Sequence, residues 1–143
     1  MGTIDFVYET NFGLTDQSSF KEWIQRVASS EGYIVDEIAY VFCDDEYLLD
    51  INKKYLDHDT YTDIISFDYT ENKHLKGDIF ISIDRVRENA TLYNVSFEEE
   101  LKRVMIHGVL HCIGYKDKTD KEKRLMREKE NEKINMFHVK HNP

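Results

Sequence analysis

The sequence predicts an α+β fold, a single domain (1–143) in which a small four-stranded mixed sheet packs against about five helices. Three observations predict it. Short runs rich in β-branched and aromatic residues are interleaved with amphipathic helical stretches, the last strand candidate ends at Ser82, and helical patterning fills the remainder. At 143 residues, with 41% hydrophobic and 13% aromatic side chains, the chain can bury one core without a disulfide or a metal.

Ile4 to Tyr8 reads as a strand, and Thr15 or Asp16 can cap a helix carrying Phe20, Trp23, Ile24 and Val27 on one face, stopped by Gly32. Tyr33 to Cys43 reads as the second strand. Asp44 then opens a helix with Tyr47, Leu48, Ile51 and Tyr55 at helical spacing. Thr62 to Tyr69 and Gly77 to Ser82 are the third and fourth strands, an antiparallel hairpin joined by the polar turn ENKHLK. Asp84 to Tyr93 is a short helix. Ser96 and Glu99 form a capping box that opens a helix ending at Gly114, and Thr119 or Asp120 caps a last helix with Leu125, Met126, Ile134 and Phe137 as its apolar side.

One proline (Pro143) and six glycines leave no interdomain linker, and Cys43 and Cys112 form no CxxC pattern, which excludes a disulfide scaffold and a four-cysteine zinc module. The N-terminus lacks a signal-peptide pattern, and the longest apolar run, Val104 to Ile113, is interrupted by two histidines. A cytoplasmic protein without a membrane segment is expected. The net charge of −9 argues against a general nucleic-acid coat.

The stretch FEEELKRVMIHGVLHCIG carries the chemistry. From Val104 it is apolar nearly all round, yet Glu100, Arg103, His107 and His111 fall on one stripe, polar at an expected exposed start and ending in two histidines towards the core. Imidazoles four residues apart on one face are spaced to bind a single metal ion; the alternative is a pair of core histidines bonded to carbonyls. Gly114 lets the chain reverse, and Asp117 is the only carboxylate in the turn that follows, which makes it the third candidate ligand. Three protein ligands leave a position for water, as in catalytic zinc sites. Gly108 stands where an HExxH protease needs its glutamate, and it is expected to let backbone or substrate come close to the metal. Cys112 points about 100° away from His111 and reads as packing.

HGVLHCIGYKD closely resembles the signature HGxLHxxGYxH of the YbeY family of bacterial endoribonucleases. INKKYLDHDTYTDIISF and GDIFIS are similar to that family's LNxxY…TDVLSF and GDIxIS segments, so the likeness runs from about Ile51 to Asp117. The resemblance implies a zincin-like metal-binding helix, one zinc ion, and a metal-dependent, single-strand-specific endoribonuclease. It further implies a role in maturing ribosomal RNA with the small ribosomal subunit, and in ribosome quality control. His107 and His111 match the first two metal-binding histidines, and Asp117 stands where most members have a third. An aspartate is a competent zinc ligand, but it lowers the net charge at the metal and makes nickel or manganese better tolerated. The arginine that many members carry after the tyrosine is Leu56 here, so Lys53, Lys54 or His58 are candidates to engage phosphate, with solvated helix surface as their alternative. Thr62, Asp63 and Ser66 match the TDVLSF segment. Asp63 can orient a ligand or water, or cap a turn.

Residues 116–143 hold nine Lys and Arg against six Asp and Glu, a net +3, which leaves −12 on residues 1–115. Lys116, Lys118, Lys121, Lys123, Arg124 and Arg127 thus form a locally basic rim at the proposed metal turn, suited to an RNA phosphodiester, with no DNA partner expected. Two rival expectations are a metallohydrolase acting on peptides or small molecules, and a ribosome-binding module whose metal is structural.

Overall fold

A computed structural model describes residues 2–138, so Pro143 and the last residues of the basic segment, Lys140 among them, lie outside the described residues. The element order is β1 (Thr3–Tyr8), α1 (Gln17–Ser30), β2 (Ile34–Cys43), α2 (Asp45–Leu56), β3 (Ile64–Asp68), β4 (His74–Ser82), α3 (Ile83–Tyr93), α4 (Phe97–Ile113) and α5 (Asp120–His138). The sheet is mixed, in the order β1-β2-β4-β3. β1 and β4 run parallel to the central β2, and β3 is antiparallel to β4 at the edge.

The caps are made by the residues suited to them. Asp16, Asp44, Ser82 and Ser96 each accept a backbone N–H from three residues on, at the starts of α1, α2, α3 and α4. Thr119 Oγ1 accepts from Glu122 N and does the same for α5. The hairpin turn is tighter than the polar stretch suggests. His74, Leu75 and Lys76 belong to β4, Glu71 bridges His74, and the reversal falls on Asn72 and Lys73, both at positive φ, as a two-residue turn matching the strand twist requires.

Pleating divides the core in two. Ile38, Tyr40 and Phe42 of β2 and Ile79 and Ile81 of β4 pack with α1 and α4 around Trp23, Ile24, Met105, Ile106 and Val109. A smaller cluster of Cys43, Leu48 and Ile65 lies on the other face, beneath α2. Tyr47 and Tyr55 on α2 and Leu125 on α5, expected on apolar faces, are exposed, because each helix packs through a narrower stripe than its spacing allows. No described helix is long and apolar enough to cross a membrane.

Gly108 also departs from expectation. A Cβ there would lie 3.0 Å from Ile64 Cδ1 and 3.1 Å from Ile79 Cδ1 and Cγ2, so the glycine lets α4 sit close on the sheet and does not open a path to the site.

Candidate active site

Helical spacing puts His107 and His111 on one face of α4, with ring centres 6.2 Å apart. Gly114, at φ 122°, ends the helix, and the N–H groups of Gly114 and Tyr115 both donate back to Leu110 O. The Tyr115 hydroxyl donates to Glu31 Oε1 at 2.7 Å and pins the reversed chain. Asp117 Oδ2 thereby comes to 3.2 Å from His107 Nε2. His111 Nδ1 lies 3.2 Å from Tyr115 O, and His107 Nδ1 lies 2.7 Å from Glu130 Oε2 on α5.

The stripe on α4 runs opposite to expectation in its exposure. Glu100 is 4% exposed and His111 is exposed, because Glu100 lies among Asn89 and Tyr93 of α3 and Arg127 and Glu130 of α5 while the last turn is left open. Burial acts to lower the His107 pKa, but the hydrogen bond and charge of Glu130, with Asp117 and Asp63, raise it overall. Cys112 is pushed up to about 12 by burial and by Asp68, which leaves it a packing thiol.

His107, His111 and Asp117 line one side of a cleft of about 490 Å³. Ile64 and Ser66 of β3 form a second side, and Asn52, Leu56, His58 and Thr60 from the end of α2 and the loop beyond it form the third. Thr62 also lines it. Asn52 shapes that loop. Its Nδ2 donates to Thr60 O at 2.8 Å and its carbonyl accepts His58 N at 3.1 Å, while Asp57 takes a left-handed conformation.

Of the candidate substrate-binding residues, only His58 reaches the cleft. Lys53 pairs with Asp59 at 3.5 Å, and Lys54, Lys116 and Lys118 are exposed and line none of it. Asp63 lies behind His107, in a cavity of about 190 Å³ shared with Glu100, Arg103, Arg127 and Glu130. Burial raises the pKa of Asp63 and of Glu100, and the Asp63 charge adds to the shift at Glu100.

A family model described as "Endoribonuclease YbeY" matches residues 7–138. The chain belongs to the YbeY endoribonuclease family. It is 58% identical over 139 residues to the endoribonuclease YbeY of Flavobacterium psychrophilum, which covers 97% of this chain and 99% of the relative. It is 50% identical over 115 residues to that of Bacteroides thetaiotaomicron, covering 80% and 84%. Its fold is similar to the solution structure of TM1509 from Thermotoga maritima, with a TM-score of 0.71, 26% identity, and 94% and 89% of the two chains covered.

Both imidazoles have Nδ1 tied to an oxygen, which leaves Nε2 as the nitrogen that could ligate a metal implied by the family resemblance, and Asp117 supplies a carboxylate beside one of them. No three His, Cys, Asp or Glu side chains among the described residues form a ready-made cage, so the fit rests on donor chemistry. Glu130 and Arg103 were not legible as site residues in the sequence. Their only signal is that Arg103 and His107 lie four apart on the stripe, which predicts a shared partner but not its identity.

Proposed function

We propose that this YbeY-family chain is a metal-dependent endoribonuclease that cleaves single-stranded RNA during ribosomal RNA maturation, in the cytoplasm and in association with the small ribosomal subunit. His107, His111 and Asp117 are the ligands of one divalent cation, zinc by the nature of the donors. The observation that carries this reading is the convergence of two histidines, each with Nδ1 tied, and one carboxylate on the wall of a cleft large enough for a nucleotide.

When bound, such a cation supplies Lewis-acid stabilisation of charge on a phosphoryl oxygen and acidifies water near neutral pH. The protein's own groups do the positioning. Ser66 on β3 and Thr62 just before it offer hydroxyls, and Leu56 and Ile64 give the cleft apolar surface against which a base can rest. His58 brings a third imidazole to the cleft lining. The exposed Lys121, Lys123, Arg124 and Arg127 of α5 follow directly on the Asp117 turn and favour an approaching phosphate backbone, while the acidic remainder discourages indiscriminate binding.

The test is metal content and cleavage measured together. Purified chain is expected to carry close to one zinc and to cut an unstructured ribosomal RNA fragment while sparing a duplex. Asp117→Ala and His111→Ala should each lose both properties. A stoichiometric metal retained by Asp117→Ala would remove that residue from the ligand set, and cleavage undiminished in His111→Ala would remove the histidines from the chemistry.

A further inference from the structure

We propose that Glu130 is a positioning residue of the site: it fixes His107 as the Nδ1–H tautomer and so turns the Nε2 lone pair towards the cleft, with Arg103 holding Glu130 in place. This rests on the reading that His107 offers a lone pair to a cation.

A neutral imidazole carries one N–H and one lone pair, and the partner of one nitrogen decides the role of the other. His107 has a carboxylate at each nitrogen. Glu130 Oε2 is 2.7 Å from Nδ1, and Asp117 Oδ2 is 3.2 Å from Nε2. The two compete for the single proton, since an N–H facing Asp117 would spend Nε2 on a hydrogen bond and turn the lone pair inward. Distance favours Glu130. Burial does too, because the Glu130 side chain is 7% exposed against 40% for Asp117, and a charge-assisted hydrogen bond is stronger away from water.

Both Glu130 oxygens are engaged. Oε1 accepts from Arg103 Nη1 at 3.0 Å, with Arg127 more distant at 3.9 Å, while Oε2 takes the histidine. Arg103 stands one turn before His107 on α4, and Glu130 comes from α5. The ring is therefore clamped between two helices whose relative position is set by the core. A carboxylate that accepts the Nδ1 proton also makes the opposite nitrogen a better ligand.

The alternative is that Arg103 and Glu130 form a structural ion pair beside which His107 merely lies. Long-range nitrogen–proton correlation spectra of the full chain, recorded without added metal at a pH above the titration of the ring, separate the two. Wild type should show His107 with a pyrrole-type Nδ1 and a pyridine-type Nε2. Glu130→Ala should move the proton to Nε2, beside Asp117, whereas Glu130→Gln should keep Nδ1–H because its amide oxygen still accepts. Zinc affinity, read by competition with a chromophoric chelator, should fall about 10–100-fold in Glu130→Ala and less in Glu130→Gln.

A protonated Nε2 in wild type would overturn the proposal, as would an unchanged tautomer in Glu130→Ala. If the alanine variant does not fold, the wild-type and glutamine spectra decide the matter. Nδ1–H in wild type together with no measurable zinc binding would refute the cation reading and uphold the tautomer assignment, so the two failures are distinct.

Discussion

Two positions beside the histidines separate packing from chemistry at the scale of single residues. Gly108 touches Ile64 and Ile79 on the sheet side of α4, so an added methyl group must displace side chains in a close-packed layer. Gly108→Ala should destabilise the fold by about 1–3 kcal/mol, read as a lower urea midpoint, while the folded variant binds zinc as wild type does. A loss of zinc affinity at unchanged stability would return Gly108 to the site. Leu56 is the converse case, an exposed apolar residue on a cleft wall that no lysine or arginine lines among the described residues. Leu56→Arg should tighten single-stranded RNA binding and steepen the dependence of log K on log salt by about 0.7, the value for one phosphate contact on a single strand. An unchanged slope would show that the RNA backbone does not pass this wall.

At the scale of the element, α4 carries the site, and its start is fixed by a single hydroxyl. Ser96 Oγ accepts Glu99 N at 3.1 Å, so Ser96→Ala should cost about 1 kcal/mol and lower the thermal midpoint without changing what His107 and His111 contact. A cost near zero would mean that the interhelical packing of α4 alone holds its first turn. Such local features are what the sequence reveals well. The caps at Asp16, Asp44, Ser96 and Thr119, the period-2 strands and the i, i+4 histidine pair all depend on neighbours within one turn or one hairpin. Features that depend on a second element are hidden. The local pattern did not reveal that Tyr47 and Tyr55 would be left exposed, that Glu100 would be buried beside α3 and α5, or that Lys116 and Lys118 would not line the cleft. Glu130 belongs to the same class. It lies in a charge-mixed helix that reads as solvated surface, and only the packing of α5 on α4 makes it the partner of His107.

Over the whole molecule, the acidic body and the basic last segment meet through a buried ion pair that ties α5 to the end of α1. Lys133 Nζ, on a side chain 2% exposed, lies 2.7 Å from Glu31 Oε2 and 2.6 Å from Glu132 Oε2, and donates to Ser30 Oγ at 2.9 Å. Trp23 Nε1 donates to the Lys133 carbonyl at 2.7 Å, so the lysine anchors α5 by backbone and side chain together. Burial works to raise the Glu31 pKa, but the hydrogen bonds from Lys133 and Tyr115 and the charges of Lys133 and Lys129 lower it overall. Burial likewise works to lower the Lys133 pKa, and Glu132 and Glu31 raise it. The signs define a plateau. A depressed carboxylate contributes stability that is complete above its unfolded value of about 4.3 and is lost as the pH falls through the lower folded value. A raised lysine contributes stability that is complete below its unfolded value of about 10.4 and is lost as the pH rises through the higher folded value. Removing the Glu31 charge leaves the buried Lys133 with the mostly exposed Glu132 as its carboxylate partner among the described residues, so Glu31→Gln should cost about 3 kcal/mol between about pH 5 and pH 10, the low end for a broken buried pair. Urea midpoints across the pH range check this, with the gap between variant and wild type closing as Glu31 is protonated in acid. A gap that stays constant well below the carboxylate range would show that Glu31 acts through shape and not through charge.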